Sequence, residues 1–223
     1  MKRLCFIYTI PNFYNALYKP VMSEAFDGRK DVEVRFLMDN SLLLDTLANG
    51  AEPTPAVERR LLRFAEDCVA VGADCIVVGC TAVNTATKKV AEMMDVPMFS
   101  VDEPMIRKVL ADKKKRIAVL SHTPINAGTI RRRLLAEDPT VSVELFPVDG
   151  AGDAFAAGDY ERYHALMKAG AEAIPEGFDA IVLGHISAEH VDFSEVRTPI
   201  YSTGSACVSA IEEALKNAGG KMK

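Results

Sequence analysis

The chain has no apolar run approaching the ~18 residues that a helical membrane span needs, and this excludes an integral helical membrane protein. Its five cysteines include no CxxC pair, which argues against both a disulfide framework and a structural zinc site. There is no excess of positive charge: the formal net charge is -5, so neither nucleic acid nor an anionic membrane is an expected partner. The only basic clusters, residues 113–116 and 131–133, read as a solvated loop and a solvated helix face. P-loop and dinucleotide fingerprints are missing, as are repeat arrays and coiled-coil heptads. The opening MKRLCFIYTIPN breaks off at Pro11 without a small-residue cleavage site. It therefore reads as a first strand, and a cytoplasmic protein is expected.

What is present centres on residues 72–85, GADCIVVGCTAVNT. The run Cys75-Ile76-Val77-Val78, bounded by Gly72 and Gly79, is too short for a helix and reads as a strand buried on both faces. Cys80 follows it, and Thr81 and Asn84 then open a predicted helix over residues 86–94. A sulfur beyond a strand end and beside a helix N-terminus sits where positive potential would lower its pKa toward a working thiolate.

This stretch has a twin. Adding 105 maps Gly72, Asp74, Ile76, Val77, Gly79 and Cys80 onto Gly177, Asp179, Ile181, Val182, Gly184 and His185. RLCFIYTIP at residues 3–11 likewise resembles RIAVLSHTP at 116–124, and PMFS at 97–100 resembles PIYS at 199–202. Three matches in one order indicate two homologous halves, one with a thiol where the other has an imidazole. The halves are expected as two lobes, residues 1–104, with a C-terminal helix at 205–223 packing back on the first, and residues 105–204.

Strand and helix signals alternate throughout. Strands are predicted at residues 3–9, 32–38, 75–78, 98–101, 117–120, 141–146, 180–183 and 200–201. Thr54-Pro55 marks a helix start whose inward face carries Val57, Leu61, Leu62, Phe64, Ala65, Cys68 and Val69. Phe13, Leu17, Val21 and Phe26 fit a helix face interrupted at Pro20. Residues 147–158, rich in glycine and aspartate, read as the longest irregular piece, a flap or surface loop. The fold class is α/β, with parallel sheets flanked by helices.

Two α/β lobes, each closing a central strand on a G-C or G-H pair, resemble the aspartate/glutamate racemase superfamily, which includes aspartate, glutamate and hydantoin racemases, maleate cis-trans isomerase and arylmalonate decarboxylase. The resemblance implies a substrate between the lobes, flanked by one cysteine from each. Those positions correspond to Cys80 within GCTAVNT and His185 within GHISAEH, a departure from the two-cysteine pattern. Ile-Pro-Asn at residues 10–12 looks like the Asn-Pro-Asn-Thr signature of the hydantoin racemase branch, with Thr9 in place of its first Asn. It makes Asn12 the expected carboxylate ligand.

The residue types fit that chemistry. Moving a proton beside a carboxylate requires a base on one face, an acid on the other, and donors for the spreading charge. Cys80 and His185 are the candidate catalytic pair. Thr9, Asn12, Thr81, Asn84, Ser121, His122, Thr123 and Ser187 are candidate substrate ligands in the turns after strands. No cofactor or metal is expected; the partner is a small carboxylate, an amino acid or hydantoin, and a homodimer is the default assembly. The rival readings are a maleate isomerase-like enzyme with Cys80 as nucleophile and a small-carboxylate-binding homologue that has lost the chemistry.

Overall fold

The computed structural model describes residues 1–10, 14 and 18–218; Asn12, Phe13 and Leu17 lie outside them. The chain divides into two compact units, Met1–Glu103 with Cys207–Lys223, and Pro104–Ala206.

The first unit is built on four parallel strands: β1 (Lys2–Tyr8), β2 (Val32–Met38), β3 (Cys75–Val78) and β4 (Met98–Ser100), in the order β2-β1-β3-β4. All four residues of β3 are buried, as a continuous apolar run in a parallel sheet covered on both faces requires. Each of its Ile and Val side chains contributes on the order of 1.5–3 kcal/mol. Near the first crossover lie two short helices, α1 (Lys19–Val21) and α2 (Ser23–Phe26), and beyond β2 comes α3 (Asn40–Ala48), capped by the Asp39 carboxylate. The helix α4 (Pro55–Ala70) starts at the Thr54 cap, its hydroxyl accepting from the Val57 N–H. It buries Val57, Leu61, Ala65 and Cys68 against the sheet. Val69 does not share that face; it lies past the stripe and is 43% exposed.

The second unit repeats the plan with β5 (Arg116–Ser121), β6 (Ser142–Pro147), β7 (Ala180–Leu183) and β8 (Ile200–Tyr201), parallel and ordered β6-β5-β7-β8. The repeated residues do the same work in both. Gly72 and Gly177 take the left-handed region at φ +80 and +99, where a side chain would be strained. Asp74 accepts from the Arg3 N–H, and Asp179 accepts from the Arg116 N–H, tying each central strand's entrance to its neighbour.

Three further differences from the sequence reading matter at the strand ends. The turn after Cys80 is a 3-10 segment, Thr81–Val83, and the helix α5 runs only from Asn84 to Ala91. After α5 come β4 and α6 (Glu103–Ala111), and in the second unit β5 is followed by α7 (Pro124–Glu137), which begins at the Thr123 cap. Residues 147–158 are not irregular: they contain α8 (Ala151–Ala156), with Ala151 and Ala154 buried. A Cβ on Gly152 would lie 3.0 Å from the His122 carbonyl, so the glycine that suggested a loop permits close packing of a helix. The helix α9 (Tyr160–Glu172) follows the Asp159 cap, and α10 (Thr203–Asn217) closes the chain.

Candidate active site

Cys80 stands one residue past Gly79 at the end of β3, in extended conformation (φ -144, ψ 117), at the start of a 3-10 turn. His185 stands one residue past Gly184 at the end of β7, also extended (φ -153, ψ 142), at the start of the 3-10 turn Ile186–His190. The same backbone geometry thus presents a thiol in one unit and an imidazole in the other.

In the first unit Cys80 is 9% exposed. The Thr9 hydroxyl and the backbone N–H groups of Ala82 and Val83 hydrogen-bond to it and favour its ionised form. They do not prevail. Burial is the largest influence and pushes the thiol's pKa up, and the nearby Asp102 carboxylate pushes the same way. The expected lowering toward a resting thiolate is therefore overturned: the donors are in place, but desolvation of the sulfur outweighs them. Thr9 and Asn84 are buried, and Asn84 is the first residue of α5. Thr81 lies half-buried in the turn between the two. Asp102 is fully buried. Asn12 falls outside the described residues.

In the second unit His185 belongs to a cluster. Its ring lies 4.7 Å from that of His122, edge to face, and 5.9 Å from Phe155, which itself stacks on His122 at 5.3 Å. The Ser187 N–H donates to His185 Nδ1 at 3.2 Å, Ser187 Oγ lies 2.8 Å from the same nitrogen, and the Tyr163 hydroxyl is 2.7 Å from Ser187 Oγ. Burial, reinforced by His122, pushes the His185 pKa down to about 3. Its ring is thus neutral near pH 7, whereas an unperturbed histidine would be titrating close to it. Burial also lowers His122, whose Nδ1 is buried without a hydrogen-bond partner.

The remaining candidates divide. Ser121 is fully buried, and its Oγ accepts from the Thr123 N–H. A Cβ on Gly184 would lie 2.7 Å from the Ser121 Cβ, so this glycine lets the two strand ends meet. The Thr123 hydroxyl caps α7 by accepting from the Asn126 N–H. Ser187 Oγ faces His185 and Tyr163. Tyr163 and Phe155 were missed by the sequence reading. Neither has a fixed spacing from His185, and only the packing of α8 and α9 brings them to it. Among the described residues no group of three or more His, Cys, Asp or Glu side chains is placed to hold a metal ion, and no helix is long and apolar enough to cross a membrane.

Comparison with known proteins agrees with this architecture. A glutamate racemase from Corynebacterium kroppenstedtii is 35% identical over 97 residues, 42% of this chain and 34% of that protein, so the chain matches about a third of its relative's length. Among solved structures, an aspartate racemase homologue from Pyrococcus horikoshii OT3 superposes with a TM-score of 0.63 at 18% identity, covering 98% of this chain and all of that one (100%). The allantoin racemase from Klebsiella pneumoniae gives 0.63 at 17%, covering 97% and 89%. At these identities the structural likeness establishes the fold alone. The profile of the Asp/Glu/Hydantoin racemase family, however, matches residues 15–212, which include both strand-end turns, and so this chain belongs to that family.

Proposed function

We propose that the chain is a cofactor-independent racemase or isomerase that moves a proton at the carbon next to the carboxylate of a small amino acid or hydantoin-like substrate. Cys80 takes the proton from one face of that carbon and His185 delivers one to the other. The observation that carries this reading is the matched placement of two proton-carrying side chains, each one residue past a glycine at a central strand end and each at the start of a 3-10 turn.

The surroundings support the roles. Developing negative charge on the substrate carboxylate needs preorganised donors. Thr81 in the turn and Asn84 at the start of α5 in the first unit, and His122 in the second, supply polar groups near the two proton carriers in sequence or space. The unpartnered His122 Nδ1 is the strongest of these, because a buried polar atom left unpaired is costly until a ligand meets it. Asn12, by its resemblance to the hydantoin branch, is proposed as a further carboxylate ligand. Thr9 serves the sulfur instead of the substrate, and Ser121 and Thr123 hold the β5 end and the start of α7.

Burial of both proton carriers is compatible with the reaction. A substrate with a carbon acid of high pKa is ionised only by a base of comparable strength, and a desolvated thiolate is a stronger base than a hydrated one. The test is exchange of the α-proton in deuterium oxide with aspartate, glutamate and hydantoin. Uptake of deuterium with loss of optical activity is expected from one of these classes. Uptake that survives unchanged in Cys80→Ala would remove the mechanism.

A further inference from the structure

The hydrogen bonds behind His185 decide which of its nitrogens can give a proton, and the inference drawn from them rests on the reading of His185 as the donor to the second face. The Ser187 backbone N–H can only donate, and it lies 3.2 Å from His185 Nδ1. Nδ1 therefore holds a lone pair, and the neutral ring carries its single proton on Nε2. Ser187 Oγ, 2.8 Å from that same lone pair, is left to give its own proton to Nδ1. The oxygen then accepts from Tyr163, whose hydroxyl is 2.7 Å away. One direction satisfies every contact: Tyr163 O–H to Ser187 Oγ, Ser187 O–H to His185 Nδ1.

We propose that Ser187 and Tyr163 are positioning residues that hold His185 as its Nε2–H tautomer and return a proton to Nδ1 when the Nε2 proton goes to the substrate carbon. A neutral imidazole can act as an acid only if its other nitrogen is reprotonated, since the alternative product is an imidazolate. In the step, the Nε2–H bond breaks and a C–H bond forms at the carbanion. The ring regains a proton as Nδ1–H forms and Ser187 O–H breaks, and Ser187 O–H forms again as Tyr163 O–H breaks. The carbanion's charge ends on the Tyr163 oxygen. On the opposite face the C–H bond has broken and an S–H bond has formed at Cys80. One negative charge has left the sulfur and one has arrived on the phenol oxygen, so atoms and charge balance within the chain's own residues.

Burial acts in the same direction on the two ends of this exchange. Burial pushes the Tyr163 hydroxyl up to about 12 and the Cys80 thiol upward as well. A racemase acts on enantiomers of equal free energy and must occupy both proton arrangements in each round trip, which is easiest when neither is far the more stable. Tyr163 is fully buried on α9, against Phe155 and His122, so its hydroxyl is held on Ser187 by packing.

Protein labelled with ¹⁵N-histidine and observed without substrate tests the tautomer directly. His185, assigned by the signal lost in His185→Gln, is expected at pH 7 with Nδ1 unprotonated and Nε2 protonated. Tyr163→Phe removes only the terminal oxygen and is expected to lower kcat about 10²-fold, the lower range for loss of acid-base assistance, with KM changed little. Ser187→Ala is expected to do the same. An Nδ1–H ring or an imidazolium at pH 7 overturns the inference, as does wild-type kcat in both variants. Because the spectrum needs no substrate, that failure is separate from failure of the racemase reading, which would show as absent α-proton exchange in the unmodified protein.

Discussion

At the end of β3 a sulfur is met by one hydroxyl, from Thr9, and by two backbone N–H groups. At the end of β7 an imidazole is met by Ser187 and, behind it, Tyr163, with a second imidazole across its edge. The backbones match, but the means of handling a proton do not. A thiol is a single atom that both takes and gives, so it needs only donors that steady its anion. An imidazole has two nitrogens, and its use in one direction depends on what holds the other. The second corner accordingly needs a longer supporting chain, reaching to α9. Burial biases both corners toward neutrality, raising the thiol and lowering the imidazole. Neither corner rests in the charged form that an isolated cysteine–histidine pair would suggest.

The sharpest way to break this comparison is to remove each proton carrier in turn. Cys80→Ala is expected to lower turnover by about 10²–10⁴, the range for loss of a general base, measured as α-proton exchange. His185→Gln keeps a polar side chain of similar size but cannot transfer a proton. Its expected loss is about 10²-fold or more, and thiol alkylation at Cys80 should be unaffected. If the two losses differ by chiral direction, with one substrate enantiomer still exchanging its proton in His185→Gln, the assignment of one residue to each face is sharpened.

The same corner gives the chain an acid sensitivity. His185 is held near 3 in the folded protein, below the ~6.5 of an unperturbed histidine, so between those values the unfolded chain binds the additional proton. Stability from this residue is fully present above about pH 6.5 and falls as pH drops toward 3. The loss is on the order of 5 kcal/mol across the window, one pKa unit being about 1.4 kcal/mol. Urea midpoints at pH 7 and pH 4 should therefore differ less in His185→Gln than in the unmodified protein.

What the sequence displayed of this arrangement, and what it concealed, follows from how each residue acts. Gly72 and Gly177 recur because both turns need φ near +80 to +100, and Asp74 and Asp179 recur because both accept a strand N–H. Repeated backbone tasks leave repeated letters, so the duplication and the two strand-end residues could be read directly. The protonation state of Cys80 could not, since a favourable turn is local whereas desolvation sums over everything packed around the sulfur. Tyr163 was equally hidden: it stands on a helix before β7, and nothing in its spacing to His185 signals contact. The helix α8 was concealed by its composition, because glycine and aspartate mark loops more often than they mark a helix that must approach a histidine carbonyl closely.

The smallest expected effect concerns Thr9. Its hydroxyl is, among the described residues, the side-chain donor that lowers the Cys80 pKa, acting with two N–H groups that a substitution cannot remove. Thr9→Val preserves shape and burial while deleting that donor, so the thiol should shift further upward. Iodoacetamide alkylation of Cys80, followed against pH, should show a midpoint moved to higher pH with the plateau rate unchanged. Turnover near neutrality should fall a few-fold, in proportion to the smaller thiolate fraction, and should recover at high pH where the sulfur is ionised in both proteins. A comparable shift in Ser187→Ala would erase the distinction between the corners, because nothing in the second unit's hydrogen bonding accounts for the acidity of a sulfur held by Thr9 and its own turn.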